Sequence, residues 1–286
     1  MSIVVTGATG QLGRLTVEAL LRRGIPAARI VATGRDLTPL KDLADRDVVV
    51  RRADFGDPDS LESAFAGAEK LLLISASAPV DERVAHHRRA IDAARAAGVS
   101  LLAYTSMAHA GTAATILAAT HRATEEYLRE RDVPSVLLRN SWYLENYTDS
   151  LPSVVRHGAV IGAAGDGRVS AATRADYAEA AAAVLSTEGH AGAVYELGGD
   201  HAFTLTELAA TISAATGKPI AYTDLPADQL AGALTGAGVP APLAAILADA
   251  DLGLGRGELF TGSGDLSRLI GRPTTSLANA VADALR

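Results

Sequence analysis

The sequence predicts an α/β protein, a doubly wound parallel sheet with a smaller C-terminal α+β domain. Three observations carry this. Short β-branched runs alternate with longer helical patterns through the first half, a glycine-spaced turn stands at the first strand-to-helix junction, and the alternation breaks down after about residue 140. The expected strands are Ile3 to Thr6, Ile30 to Thr33, Val48 to Arg51, Leu71 to Ser75, Leu101 to Tyr104 and Val136 to Arg139. Each gap is long enough for a crossover helix.

The first helix should begin near Gly10, place Leu12, Leu15, Ala19 and Leu20 on one face, and stop at Gly24. Asp57 before Pro58 reads as an N-cap with proline in the first turn, opening a helix through Phe65. Further helices are expected over Val80 to Ala97, ended by Gly98, and over Leu117 to Arg131, ended before Pro134. In the second half helices are expected near Asp176 to Leu185, Leu205 to Thr216 and Ala241 to Ala250. The domains are therefore drawn as 1–145 and 146–286, with the segment around 165–195 free to return to the first sheet.

Composition removes several function classes. The 286 residues are 48% apolar and 21% charged, with 58 alanines, which fits a helix-rich globule and not a disordered chain. A net charge of −7 offers no broad basic surface for nucleic acid or anionic lipid. The absence of cysteine excludes disulfides, thiolate metal sites and a cysteine nucleophile. No apolar stretch approaches about 18 residues and the N-terminus lacks a secretory pattern, so a cytoplasmic, non-membrane protein is expected.

The most informative segment is Thr6-Gly7-Ala8-Thr9-Gly10-Gln11-Leu12-Gly13, directly after a strand and opening a helix. Gly7 permits the tight turn, Gly10 lets backbone approach a pyrophosphate, and Gly13 allows close helix packing. The helix N-terminus adds free N–H groups and the positive end of its dipole. A nucleotide-triphosphate loop would need Gly-Lys-Ser/Thr where Gly13-Arg14-Leu15 stands. The context is a Rossmann-type dinucleotide site. Arg35 and Asp36 follow the second strand, where an acid would bind the ribose of NAD and an arginine the 2′-phosphate of NADP. With Arg35 first, NADPH is preferred over NADH; Asp36 is then a helix cap. Asp54, after the third strand, either accepts from the adenine amino group or caps the next helix.

Beyond this loop, Lys70 to Ser75, Tyr104-Thr105-Ser106, Leu137 to Tyr147, Gly162 to Gly167, Ala172 to Tyr177 and Leu269 to Thr275 resemble the NmrA-like atypical short-chain dehydrogenase/reductases. Within that group the resemblance is to the bacterial NAD(P)H:quinone oxidoreductases, and it covers essentially the whole chain. It implies NADPH across the strand ends with its nicotinamide facing an interdomain cleft. The implied cofactor contacts are Thr6, Gly7, Ala8, Thr9, Gly10, Gln11, Leu12 and Gly13 in the loop, then Arg35, Ser75, Ala76 and Ser77. Asn140, Ser141, Trp142, Tyr143 and Arg174 complete the set.

The wider superfamily uses Tyr-x-x-x-Lys to move a proton. Here the lysines are Lys41, Lys70 and Lys218, preceded four residues earlier by Leu37, Ala66 and Ala214, so that pair cannot form. Several NmrA-like members carry a lysine where this chain has His121, four residues before Glu125. His121 reads either as a proton donor oriented by Glu125 or as one half of a surface pair. Ser106, ending the fifth strand, and Tyr143 are the other catalytic candidates; Trp142, Tyr143 and Tyr147 read as an aromatic slot or as core. Adjacent His86 and His87 point about a hundred degrees apart on a helix and do not form a metal pair; no metal is expected.

The expected activity is direct hydride transfer from NADPH to a quinone or similar flat electrophile, without flavin or metal. The alternative is a non-enzymatic dinucleotide redox sensor of the NmrA type. The expected partner is a small quinone-like molecule, and the reading leaves room for a homodimer.

Overall fold

The computed structural model describes residues 2–286. In chain order the first half runs β1 (Ile3–Val5), α1 (Gln11–Arg22), β2 (Ile30–Gly34), α2 (Lys41–Ala44), β3 (Val49–Arg52), α3 (Pro58–Phe65), β4 (Lys70–Leu73), α4 (Val80–Ala96), β5 (Leu101–Met107), α5 (Ile116–Glu130) and β6 (Ser135–Asn140). The second half runs α6 (Glu145–Thr148), α7 (Leu151–His157), β7 (Ala159–Gly162), α8 (Arg174–Ser186), β8 (Val194–Leu197), α9 (Leu205–Thr216), β9 (Ala221–Asp224), α10 (Ala227–Gly236), α11 (Ala241–Gly255), α12 (Asp265–Ile270) and α13 (Leu277–Ala284).

Seven parallel strands form one sheet in the order β3-β2-β1-β4-β5-β6-β8. Its alternating side chains feed two cores. Ile3, Val5, Ala32, Leu72 and Ala103 face α1 and α8, packing on Val17, Leu20, Ala181 and Val184. Val4, Val31, Leu71, Leu73 and Leu102 face the other way onto Leu61 and Phe65 of α3, Ile91 of α4 and Leu128 of α5. A strand buried on both faces reads as continuous apolar sequence, as Lys70-Leu71-Leu72-Leu73 does after its first residue. Removing one such side chain, as in Phe65→Ala, costs about 3–5 kcal/mol.

Capping sets the helix starts. Asp57 Oδ1 accepts from Ser60 N–H with Pro58 in the first turn of α3, as its sequence implies. Thr204 and Glu207 close a reciprocal capping box on α9. The seventh strand, β8, is the part of the sheet absent from the six expected. Residues 194–197 are short and their strand is half-exposed at the sheet edge, so they lack the apolar run that marks the others.

The chain thus returns to the first sheet after 146. Helix α8 packs beside α1, and α12 packs on α8 and β8. The remaining second half forms a smaller layer in which β7 pairs in parallel with β9. Val160, Phe203, Leu205, Leu208, Ile212, Leu254 and Val281 fill its core. The resemblance segments 172–177 and 269–275 hold the two layers in register. Thr173 caps α8, Tyr177 donates to the Trp142 carbonyl at 3.2 Å, and buried Asp176 pairs with Arg272 at 2.8 Å and accepts from Thr275 N–H.

Candidate cofactor cavity and the buried network behind it

The loop between β1 and α1 lies at the point where the strand order reverses, since β1 sits between β2 and β4. Gly7 has φ +61°, a left-handed conformation that only glycine adopts without cost. A Cβ on Gly13 would stand 2.4 Å from the Gly7 carbonyl oxygen, so the helix can tuck under the turn only with glycine there. Gly10 differs. It is the N-cap of α1, with no side-chain cap, and the nearest protein atom to an added Cβ is the Gly7 oxygen at 3.4 Å. The uncapped amides of the first turn and the space beside Gly10 fit a pyrophosphate.

A cavity of about 580 Å³ opens over this loop. Its floor is Gly7, Thr9, Gly10, Gln11, Leu12 and Gly13. Arg35 stands at its β2 end, exposed, with no ion pair or side-chain hydrogen bond to the protein among the described residues. Asp36 is engaged instead: its carboxylate accepts from Thr38 N–H at 2.9 Å and from the Thr38 hydroxyl at 2.7 Å. The Thr38 backbone bond holds the Asp36 carboxyl below the usual range. A free arginine beside an occupied aspartate is the arrangement that suits a 2′-phosphate. Asp54 lines the same end and accepts from Gly56 N–H, so it serves its own turn while facing the cavity.

The other end is walled by Ser75, Ala76, Ser77, Tyr143 and Arg174. The Arg174 guanidinium lies 4.8 Å over the Tyr143 ring, and its backbone N–H donates to Glu145. Burial pushes the Tyr143 phenol up, so it is protonated at neutral pH. Just behind, Asn140 Oδ1 is buried with no protein partner. Asn140 ends β6 and does not line the cavity, so of the two features it is the uncapped glycine turn that fits a ligand bringing its own anions.

The sequence pattern of the NmrA-like family matches residues 1–269. The chain belongs to that family. It is 50% identical to quinone oxidoreductase 2 of Escherichia coli over 279 residues, 98% of this chain and 97% of that protein. The crystal structure of the Escherichia coli NADPH-dependent quinone oxidoreductase complexed with NADPH superposes with a TM-score of 0.96 at 49% identity, covering 99% of this chain and all of the other. The Citrobacter triphenylmethane reductase complexed with NADP(H) is 38% identical with a TM-score of 0.94, over 99% of this chain and all of that one.

Several residues that the NmrA-like resemblance implies as contacts stand behind the cavity wall. Thr6 is fully buried and its hydroxyl accepts from Ile74 N–H; Ala8 is core, its N–H donating to the Thr33 carbonyl. Ser141 donates to the Leu259 carbonyl at 2.7 Å, and Trp142 packs its ring on the second-half core. They shape the site and do not line it.

Two catalytic candidates, Ser106 and His121, do not line the cavity. Ser106 donates to Glu125 Oε1 at 2.6 Å, and Glu125 is gripped in turn by Arg139 at 2.9 and 2.6 Å. Arg139 also bonds Glu196, and the two carboxylates, Glu125 foremost, hold its guanidinium charged. Ser106 is thus one bond of a buried ionic network. His121 is buried as well; Glu125 does not orient it, because the Tyr104 hydroxyl meets its Nδ1 at 2.8 Å. Burial takes its imidazole down to about 3, so it is neutral near pH 7 and does not switch there. Of the three candidates, Tyr143 alone reaches the cavity.

The cavity also has walls that the sequence reading passed over: Gly34, Phe55, Glu82 and His86. A Cβ on Gly34 would lie 2.5 Å from Thr9 Cγ2, so the glycine turn needs this second glycine beside it. Glu82 and His86, four apart on the first turns of α4, share a face, and Phe55 meets the His86 ring edge-on at 6.5 Å. The signal for them was positional, since a helix opening just after a sheet's carboxyl edge turns its first turns toward that edge.

Proposed function

We propose that this protein is an NADPH-dependent oxidoreductase that passes a hydride directly to a quinone or similar flat electrophile. One observation carries the reading: a single cavity joins the open glycine turn and the unpaired Arg35 to Tyr143 and Arg174. The length of that path, from the β2 end past the switch point to the β6 side, suits an extended dinucleotide. The Escherichia coli relatives, quinone oxidoreductase 2 and the NADPH-dependent quinone oxidoreductase complexed with NADPH, support the same conclusion.

When bound, the reduced nicotinamide supplies the hydride. The protein's part is to hold and exclude. The Gly7–Gly13 turn and its helix end would hold the pyrophosphate, and Arg35 would pair with the 2′-phosphate. Tyr143, kept as a neutral phenol, offers a hydrogen bond at the nicotinamide end, and Arg174 fixes its ring. Quinone reduction asks for proximity in a dry cleft more than for a strong acid, and a proton can come from water afterwards.

The test is oxidation of NADPH with a small benzoquinone, followed at the reduced-nicotinamide absorbance and corrected for the uncatalysed rate. Saturable turnover is expected, and Arg35→Ala should weaken NADPH by about tenfold or more while leaving NADH nearly unchanged. Equal losses for the two cofactors would remove the 2′-phosphate role. Tight NADPH binding without turnover across a quinone panel would place the protein with the dinucleotide sensors.

A further inference from the structure

Strand β4 ends at Leu73, two residues earlier than its sequence implies, and the reason is a change of hydrogen-bond partner. The next three backbone amides donate to side chains. Ile74 N–H goes to Thr6 Oγ1, Ser75 N–H to Thr105 Oγ1 and Ala76 N–H to His87 Nε2, each at 2.9 Å. All three acceptors are buried, Thr6 and His87 completely. They come from three different places, the residue directly after β1, the strand β5 and the helix α4. The segment they hold, Ser75 to Pro79, is the cavity wall.

His87 differs from the two threonines in having a proton that must be in the right place. Its Nδ1 meets Thr124 Oγ1 at 2.8 Å, and the Thr124 hydroxyl donates to the Thr120 carbonyl at 2.9 Å, so Thr124 accepts from Nδ1–H. That fixes the tautomer with a free lone pair on Nε2, aimed at Ala76. One turn earlier on α4, Arg83 donates to the Ala78 carbonyl. The helix therefore grips the same loop from which it descends. This wall belongs to the β4 side of the switch point, opposite the β2 and β3 exits that carry Arg35 and Asp54. It is the side of the cavity shared with Tyr143 and Arg174.

We propose that His87 is a positioning residue for hydride transfer: by accepting the Ala76 N–H it sets the Ser75–Ser77 wall against which the nicotinamide end is held. The proposal rests on the dinucleotide reading above. The threonines reach only the first two amides, and the third, farthest from the strand, needs the longer side chain of α4. Without it the wall keeps its sequence and loses its place, and hydride transfer is sensitive to displacements of about an ångström.

The experiment compares wild type with His87→Leu, which cannot accept, and His87→Gln, whose amide oxygen can take the position of Nε2. Three quantities are read: amide hydrogen exchange of residues 74–77 in the ligand-free protein, NADPH affinity, and the single-turnover rate with a benzoquinone using NADPH and its 4-deuterated form. In His87→Leu, exchange at 74–77 should quicken, the transfer rate should fall by about tenfold or more, and NADPH affinity should stay within about threefold, because the phosphates are held elsewhere. His87→Gln should recover most of both losses. Wild-type exchange and transfer rate in the Leu variant overturn the proposal, as does a Gln variant no better than Leu. If His87→Leu does not fold, Thr124→Val combined with Tyr104→Phe carries the test, since the Tyr104 hydroxyl also reaches His87 Nδ1, at 3.4 Å: the pair frees the imidazole to lose its tautomer, and unchanged exchange and rate in that variant are equally fatal. A wild-type protein that neither binds nor oxidises NADPH defeats the dinucleotide reading, and the exchange comparison then still decides whether His87 holds the wall.

Discussion

The two sides of the β5 strand end contrast sharply. In front, the cavity wall is largely glycine, alanine and serine, with Phe55, His86, Tyr143 and a few charged groups, of which Arg35 makes no side-chain bond to the protein. Behind it, between β5 and α5, lie the residues that look most like catalysts: Tyr104, Ser106, His121 and Glu125. Each of these is buried and committed to a protein partner. Chemistry-bearing side chains are thus spent on rigidity, and the open side is left to bind. A protein that only has to hold two rings together in a dry cleft needs that division and no proton-transfer pair.

Breaking the rear network should have the largest effect of any single change. Glu125 is 3% exposed and bonded to Ser106 and to both arms of Arg139. Glu125→Leu leaves the half-buried Arg139 guanidinium with Glu196 as its remaining carboxylate, and about 3 kcal/mol of stability should be lost. At this chain length that is a fall in Tm on the order of 10 °C. The NADPH affinity of the protein that remains folded should not change. A large loss of affinity with normal melting would move Glu125 to the front side and dissolve the contrast.

The converse variant is Gly10→Val. Its side chain meets no protein atom closer than 3.4 Å at Cβ and projects where a pyrophosphate would lie. NADPH affinity should fall by about 100-fold or more, roughly 2.7 kcal/mol, with Tm unchanged. Gly13→Ala, three residues on, should reverse the pattern, because its Cβ lands 2.4 Å from the Gly7 oxygen and the fold must yield. Calorimetric melting and a binding titration on the pair separate the two roles within one turn.

This same turn shows what sequence can and cannot disclose. Its glycines, the strand before it and the helix after it are local features, and local spacing is enough to place them. Arg35 is equally legible, because a strand exit is a position in sequence as much as in space. His121 and Glu125 were not legible in the same way. Their i,i+4 spacing puts them on one helical face, yet Tyr104 from β5 takes His121 and Arg139 from β6 takes Glu125. Those partners lie 17 and 14 residues away and are joined only by the sheet register that aligns Ser106 with Arg139. The early end of β4 was hidden for the same reason, since Thr6, Thr105 and His87 meet at Ile74–Ala76 only after the fold has formed.

The remaining predictions sharpen the contrast by smaller steps. His87 and His121 are both brought down to about 3, in each case mainly by burial, with nearby Arg83 adding to it and each other's charge adding for His87. A folded-state value below the unfolded one of 6.5 means that the stabilisation is complete above pH 6.5 and is lost as pH falls toward 3. At pH 5 each histidine should account for about 2 kcal/mol of that loss. His121→Gln should therefore flatten the decline of Tm between pH 6.5 and 4. Between pH 6 and 9 the shape of the kcat profile should be the same as in wild type. An inflection near neutrality that vanishes in the variant would make His121 a working acid after all.

Ser106→Ala should give the smallest effect and the most direct comparison with Tyr143→Phe. Ser106 contributes one hydrogen bond of 2.6 Å to a carboxylate that keeps both bonds from Arg139. Its loss should lower stability by about 1–2 kcal/mol, with kcat and the KM for NADPH unaltered. Tyr143→Phe removes a hydroxyl from the cavity wall, so it should leave Tm in place and lower kcat/KM. Two hydroxyls that both looked catalytic in sequence would then separate cleanly, one visible only in melting and the other only in turnover. A Ser106→Ala enzyme with normal melting and impaired turnover would show that the rear network opens to the reacting groups, and the division between binding and supporting sides would have to be redrawn at β5.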